Sequence, residues 1–221
     1  MAAFQTRREE LPSEFAVFPL AGAVLLPRGR LPLNIFEQRY LAMVFDSLGA
    51  GRMFGMIQPD AHASVTGDEP GLYRVGCLGR LSSFSETEDG RLLITLNGLI
   101  RFTVDAELEK RRGYRRIRGD FSQFNEDLDL NPPPVEIERE KLLTALRGYF
   151  ARRKVEANWE AIRGLPDDAL IVTLAMACPF KPVEKQALLE ARSGADQAAT
   201  LLALLQMGAA GPDLPPGHSV S

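Results

Sequence analysis

Histidine and cysteine are scarce in this 221-residue chain, two of each, and there is one tryptophan. Cys77 and Cys178 stand about a hundred residues apart and belong to no close-spaced thiol motif, so neither a disulfide framework nor a zinc ribbon is suggested and both read as buried free thiols. His62 falls in the loop PDAHASVTGDEP and His218 in the C-terminal tail, neither of them set beside a nucleophile that it would activate. No catalytic residue, metal site or cofactor is therefore nominated. Carboxylate pairs such as Glu86 and Glu88 sit in a turn, where solvation is a sufficient role. No stretch reaches the ~18 apolar residues needed to cross a bilayer. The N-terminus MAAFQTRREELPSEF lacks the apolar segment of a secretory signal, and the expectation is a cytoplasmic protein with no membrane contact. A strong net charge is missing too: the formal charge of −3 gives no global attraction to nucleic acid or anionic lipid.

What the chain does have is enough apolar residue, 45% against 25% charged, to build a core, and a chain of this length buries roughly 70% of its unfolded surface. From Phe15 to about Phe124 short apolar runs are punctuated by Pro, Gly and Asn, which favours strands and tight turns. In GRLLITLNGLIRFTVDAE, Leu92, Ile94 and Leu96 alternate with Leu93, Thr95 and Asn97. Asp89-Gly90 and Asn97-Gly98 supply turn residues, so consecutive antiparallel strands are expected there. The preceding LYRVGCLGRLSSFSE should pair with Arg91 to Leu96 across a polar turn at Thr87 to Gly90, and GYRRIRGDFSQF reads as a closing strand. One helix interrupts this half. In NIFEQRYLAMVFDSLGAG, Phe36, Tyr40, Val44 and Leu48 recur at helical spacing, Asn34 with Glu37 suggests a capping box, and Gly49 and Gly51 can end the helix.

NEDLDLNPPPVE marks a change of composition and a domain junction, since Pro132 to Pro134 disfavour helix before them. Beyond it, Leu142, Leu146, Tyr149 and Phe150 stripe one helix. Leu170, Leu174 and Cys178 stripe another, with Asp167 or Asp168 as its cap. Pro182 opens a third in PVEKQALLEA, and Gly194 separates it from ADQAATLLALLQMG. The expected layout is a disordered 1–13, a β domain over 14–124, a Pro-rich linker over 125–134, a helical lobe over 135–207 and a disordered tail over 208–221. The fold class is α+β.

FPLAGAVLLPRGRLPLNIFEQRYLAMVFDSL resembles the opening signature of the Lon protease N-terminal domain family, above all its short stand-alone bacterial form. The likeness continues through VGCLGRLSSF, DGRLLITLNGLIRF and EKQALLEA with the Leu-rich helix after it, covering roughly Phe15 to Met207. It implies a PUA-like, partly closed β barrel with one inserted helix, followed by a C-terminal α-helical lobe. It also implies recognition: in full Lon proteases this domain helps to capture unfolded or tagged polypeptides for an attached motor. No G-x-x-x-x-G-K-[ST] loop occurs in this chain, and 221 residues leave no room for the peptidase domain as well, so a non-enzymatic binding module is expected. Its partners would be client polypeptides or a separate protease or chaperone. Relatives often carry Arg in the last helix where this chain has Gln197.

Three groups of residues are candidates for binding. For polypeptide capture, which needs exposed apolar contact, Leu20, Leu25 and Leu26 in PLAGAVLLP and Phe54, Met56 and Ile57 in RMFGMIQP exceed what one strand face buries. Alternatively these residues fill the barrel. Glu37, Arg39 and Tyr40 in NIFEQRY, with Arg101 of LIRF, form a polar cluster that either orients a ligand or fixes how the helix docks. Lys110, Arg111, Arg112, Tyr114, Arg115, Arg116 and Arg118 form a basic run around an aromatic ring that could contact RNA phosphates while the ring stacks on a base, the alternative RNA-binding reading, although Asp105, Glu107, Glu109 and Asp120 flank it. A solvated hairpin is the competing reading.

Overall fold

The computed structural model describes residues 6–60, 69–129 and 132–210, and the chain divides into two compact units, Met1–Pro132 and Pro133–Ser221. The first carries eight strands among its described residues: β1 (Glu14–Pro19), β2 (Arg30–Ile35), β3 (Met53–Ile57), β4 (Pro59–Asp60), β5 (Gly71–Leu72), β6 (Val75–Glu86), β7 (Leu92–Arg111) and β8 (Tyr114–Asp120). Six form one sheet in the order β2-β7-β6-β3-β1-β8, while β4 and β5 pair separately. The 20-residue β7 pairs with β2 and β6 along its first half and with β8 along its second. This double use curls the sheet partway into a ring without closing a barrel, in line with the partly closed form expected.

The β6–β7 hairpin has the pairing expected, Glu86 opposite Leu92 and Leu81 opposite Leu96, around a turn in which Gly90 takes φ +79°. Asn97-Gly98 is not a turn. The chain runs through it extended, because Gly98 lies directly beneath the Leu26 carbonyl, where no side chain fits, and a bulge at Leu78/Gly79 takes up the register change. The core of this unit gathers Phe15, Val17, Met53, Ile57, Leu78, Ile100, Phe102 and Ile117. Phe15 meets Phe102 edge-on at 5.0 Å and stacks on Phe121 at 5.8 Å. Residues Ser122–Leu128 wind into a 3-10 segment tied to β7, since Asp127 accepts from the backbone N–H, Nε and a terminal nitrogen of Arg101 at 2.8–3.0 Å. Of the segments expected to be disordered, residues 1–5 and 211–221 lie outside the described set, as does the loop holding His62. Arg8–Glu10 form a short 3-10 turn.

Helix α1 (Gln38–Leu48) buries Tyr40, Leu41, Met43 and Val44 and packs against β1, β3 and β8. The Asn34/Glu37 capping box is not formed. The ladder with β7 holds Asn34 extended opposite Leu93, so the helix begins later, with Glu37 as an N-cap whose carboxylate turns to Arg39. Phe36, outside the helix, stays 61% exposed instead of joining its buried stripe.

Among its described residues the regular elements of the second unit are helices: α2 (Arg139–Arg153), α3 (Trp159–Gly164), α4 (Asp167–Ala177), α5 (Pro182–Leu189) and α6 (Gly194–Ala210). Helix α6 packs on α2, α4 and α5, and the expected residues Leu142, Leu146, Tyr149, Phe150, Leu170 and Leu174 are buried. Pro182 starts α5 as expected. The cap expected on α4 differs: Pro166 is the N-cap, and Asp167 is taken by the Arg139 guanidinium. Gln197 donates to the Leu188 carbonyl, joining α6 to α5. The Lys185 ammonium donates to the Met176 carbonyl at the end of α4, where a helix terminus favours a cation. Burial nonetheless lowers the pKa of that amine.

Candidate functional site

The six apolar candidates are placed by the strands that carry them. Phe54, Met56 and Ile57 lie in β3, which has β1 on one side and β6 on the other, and all three are buried. Leu25 and Leu26 follow β1 in a loop that folds over Gly79 and Gly98, and they too are buried. Only Leu20 is partly open. The apolar excess in these runs therefore fills the core, because β3 is interior to the sheet and the loop covers glycines whose missing side chains leave it room.

Exposed apolar side chains occur elsewhere, across β2, β7 and β6. Phe84 is 49% and Leu93 48% exposed. The register sets Leu33 and Phe84 opposite Ile94 on one face, and Asn34 and Ser85 opposite Leu93 on the other. A shallow groove at this end of the strands takes in residues of both faces, Leu33, Phe84 and Ile94 from one and Pro32 and Leu93 from the other. Phe36 follows β2 at the same end, with the Arg91 guanidinium 5.8 Å from its ring. Sequence reasoning passed over these residues because strict alternation assigns Phe84 and Leu93 to opposite faces and says nothing of which face lacks a cover. The available signal was the β6–β7 turn itself, which places them at the free end of a hairpin.

The polar cluster assembles in part. Arg39 sits 3.0 Å from Glu37 and 2.8 Å from Glu69, with its guanidinium 4.5 Å from the Tyr40 ring centroid. Tyr40 packs on Phe18, and burial raises the pKa of its hydroxyl. Arg101 is anchored instead on Asp127, with its guanidinium 4.7 Å from the centroid of the Phe124 ring. It holds the 3-10 segment to β7.

The basic run forms the β7–β8 hairpin, turning at Arg112-Gly113, both with positive φ as a two-residue turn of matched twist requires. Its charge is answered locally. Lys110 pairs with Glu69, Arg111 and Arg112 with Asp46, and Arg116 and Arg118 with Glu14. Arg115 is buried, makes a two-pronged contact with Glu107 at 2.7 and 2.8 Å and donates to the Pro70 carbonyl. The Tyr114 hydroxyl donates to Asp46 at 2.8 Å, and this bond, with Arg112 and Arg111 beside it, holds the Asp46 carboxyl below its ordinary value.

Both thiols are buried, and burial raises their pKa, that of Cys178 to about 12. Among the described residues no group of three His, Cys, Asp or Glu side chains could hold a metal ion, and no helix is long and apolar enough to cross a membrane.

Residues 14–207 match the family described as the ATP-dependent protease La (LON) substrate-binding domain. The chain is 25% identical over 194 residues to the Lon protease of Anaeromyxobacter dehalogenans (strain 2CP-C), covering 83% of this chain and 22% of that protein. It is 26% identical over 116 residues to Lon protease 2 of Myxococcus xanthus, covering 51% and 14%. It thus spans less than a quarter of either relative. Among solved structures, the Lon N-terminal domain protein from Xanthomonas campestris superposes with a TM-score of 0.59 at 24% identity, covering 87% of this chain and 98% of that one. The N-terminal domain of the Mycobacterium avium complex Lon protease does so with a TM-score of 0.53 at 14% identity, covering 87% and 97%. At these identities the superpositions establish a shared fold, while the match over residues 14–207 establishes descent: the chain belongs to the Lon substrate-binding domain family.

Proposed function

We propose that this protein is a non-catalytic module that binds unfolded client polypeptides through the apolar groove across β2, β7 and β6. The observation that carries the reading is the half-exposure of Phe84 and Leu93 on paired strands of a substrate-binding domain. Each offers apolar area at low cost in conformational freedom, and an unfolded chain supplies apolar side chains that a folded partner has already buried. The basic hairpin is the weaker candidate, because each of its cations contacts Glu14, Asp46, Glu69 or Glu107 and the same strands carry Asp105, Glu109 and Asp120, which leaves little net positive charge.

Reduced, carboxymethylated α-lactalbumin, which cannot refold, serves as the probe, with native α-lactalbumin as its folded control. Fluorescence anisotropy should show binding of the unfolded form only, and the probe should remain intact with ATP present. Replacing Phe84→Ser and Leu93→Ser together should weaken binding about ten-fold. Melting should stay within ~0.5 kcal/mol of the parent, as expected for exposed positions. Equal binding of both forms, cleavage of the probe, or undiminished binding by the double variant would each defeat the proposal.

A further inference from the structure

Strand β2 ends the sheet: among the described residues its only neighbour is β7. Which of its backbone groups face outward is fixed by the hydrogen bond from Gly98 N–H to the Gly29 carbonyl, continued by the register that sets Leu31 opposite Leu96 and Leu33 opposite Ile94. In an antiparallel ladder alternate residues bond inward, so Leu31, Leu33 and Ile35 face β7 while Arg30, Pro32 and Asn34 turn their backbone groups away from it. Pro32 occupies an outward position, the place in a sheet where a missing N–H costs no ladder bond. Two donors, from Arg30 and Asn34, and three acceptors, from Arg30, Pro32 and Asn34, are left along this edge.

Charge and apolar surface mark the same strip. Arg30 is exposed and, among the described residues, enters no ion pair. At the far end of β2 the register brings Ile35, Leu92 and Glu86 into one row, and Glu86 and Glu88 are exposed. The strip therefore runs from a cation to an acidic hairpin over about 17 Å, five residues at ~3.3 Å each. Leu31 and Leu33 are half-buried, and a further strand on this edge would set its side chains beside them.

We infer that β2 takes up an extended segment of client polypeptide as an added antiparallel strand, apolar at alternate positions, with an acidic residue opposite Arg30 and a basic residue toward Glu86. The inference rests on the polypeptide-binding reading and specifies its mode: backbone hydrogen bonds hold any sequence of suitable pattern, while Leu31 and Leu33 select apolar side chains at every second residue. Pro32 limits the ladder to five bonds and makes capture reversible. It also keeps the edge from seeding sheet growth between copies of the protein.

The test uses the peptide acetyl-KVTVTVE-amide, whose valines fall opposite Leu31, Leu33 and Ile35 and whose glutamate falls opposite Arg30. Binding is followed by amide chemical-shift changes in the full chain, expected at Arg30 and Asn34. N-methylation of the third and fifth residues, whose N–H groups would meet the Asn34 and Pro32 carbonyls, should weaken binding about ten-fold, whereas N-methylation of the fourth and sixth, which point away, should not. Asn34→Pro removes one outward donor and should weaken binding about three-fold or more. Arg30→Glu should make EVTVTVK the tighter ligand. Equal sensitivity to both methylation patterns, or sensitivity to neither, overturns the inference. So does sedimentation as a dimer that Asn34→Pro dissociates, since a second copy would then occupy the edge. If carboxymethylated α-lactalbumin binds and the peptide does not, strand addition fails and the broader reading stands; if neither binds, both fail.

Discussion

The two halves of β7 face different fates. Along its first half, between β2 and β6, Leu93 and, on the other face, Phe84 of β6 stand half exposed. Along its second half, beside β8, each cation of a denser charged set contacts a carboxylate from β1, α1, β7 or the residues before β5, although only Arg115 is enclosed. The first half leaves its apolar groups without partners among the described residues, whereas the second sets every cation beside an acid. Residue density in a sequence is thus a poor guide to what a surface offers, because availability is set by what the fold brings opposite. Six cations in nine residues meet four acids drawn from positions as distant as Glu14 and Glu107.

The sharpest break of this contrast is Arg115→Ala. The side chain is 5% exposed and its removal leaves Glu107 and the Pro70 carbonyl without their partner. Glu107 is itself 35% exposed and can be rehydrated, so losing its partner costs ~1–3 kcal/mol, less than for a fully buried pair. Thermal or denaturant unfolding should register that loss. A variant as stable as the parent would show that the hairpin's charges are spectators, and that its two halves differ less than their contacts imply. Tyr114→Phe is the next step down. It removes the bond that does most to keep the Asp46 carboxyl below its ordinary value, for about 1 kcal/mol near neutral pH. Since the folded state holds this carboxyl more acidic than the unfolded chain does, its contribution is complete above the ordinary value of 3.8 and is lost as pH falls through the lower, folded value. Unfolding followed from pH 6 to about pH 2 should therefore show a flatter acid limb for Tyr114→Phe. Coincident limbs would remove Asp46 from the account.

Much of the architecture could be read from the chain. Alternation in RLLITL and the Asp89-Gly90 turn specify the β6–β7 hairpin, and the apolar stripes of α2 and α4 specify their buried faces. Local rules failed where a distant residue decided the outcome. Asn97-Gly98 has the composition of a turn, yet Gly98 is there to pass under Leu26, some seventy positions earlier. Asn34 and Glu37 have the spacing of a capping box, yet the ladder to Leu93 keeps Asn34 extended. The site was harder to read for the same reason. Leu25, Leu26, Phe54, Met56 and Ile57 stand out by hydrophobicity but are enclosed, and Phe84 and Leu93 look ordinary but are not. Periodicity gives the face of a strand; whether that face is covered depends on pairings at long range.

The smallest expected effect tests the charged half directly. Arg116 and Arg118 are the outermost cations of β8, 30% and 51% exposed at the side chain, and both lean on Glu14 at 3.5 and 3.0 Å. Exposed pairs of this kind contribute ~0–1 kcal/mol, so changing both to Ala should leave stability almost unaltered. Their freedom to meet phosphate is the informative quantity. If the hairpin offered net positive charge, a single-stranded RNA would bind with an affinity falling steeply with salt, and the double variant would flatten that slope by about two phosphate contacts. With both guanidinium groups beside Glu14 and Asp120 on the same strand, binding of a twenty-nucleotide RNA should be weak and its salt dependence nearly the same with and without the two arginines. A slope that changes on substitution would mean that Glu14 yields to phosphate, and the two halves of β7 would then be two binding surfaces of different chemistry.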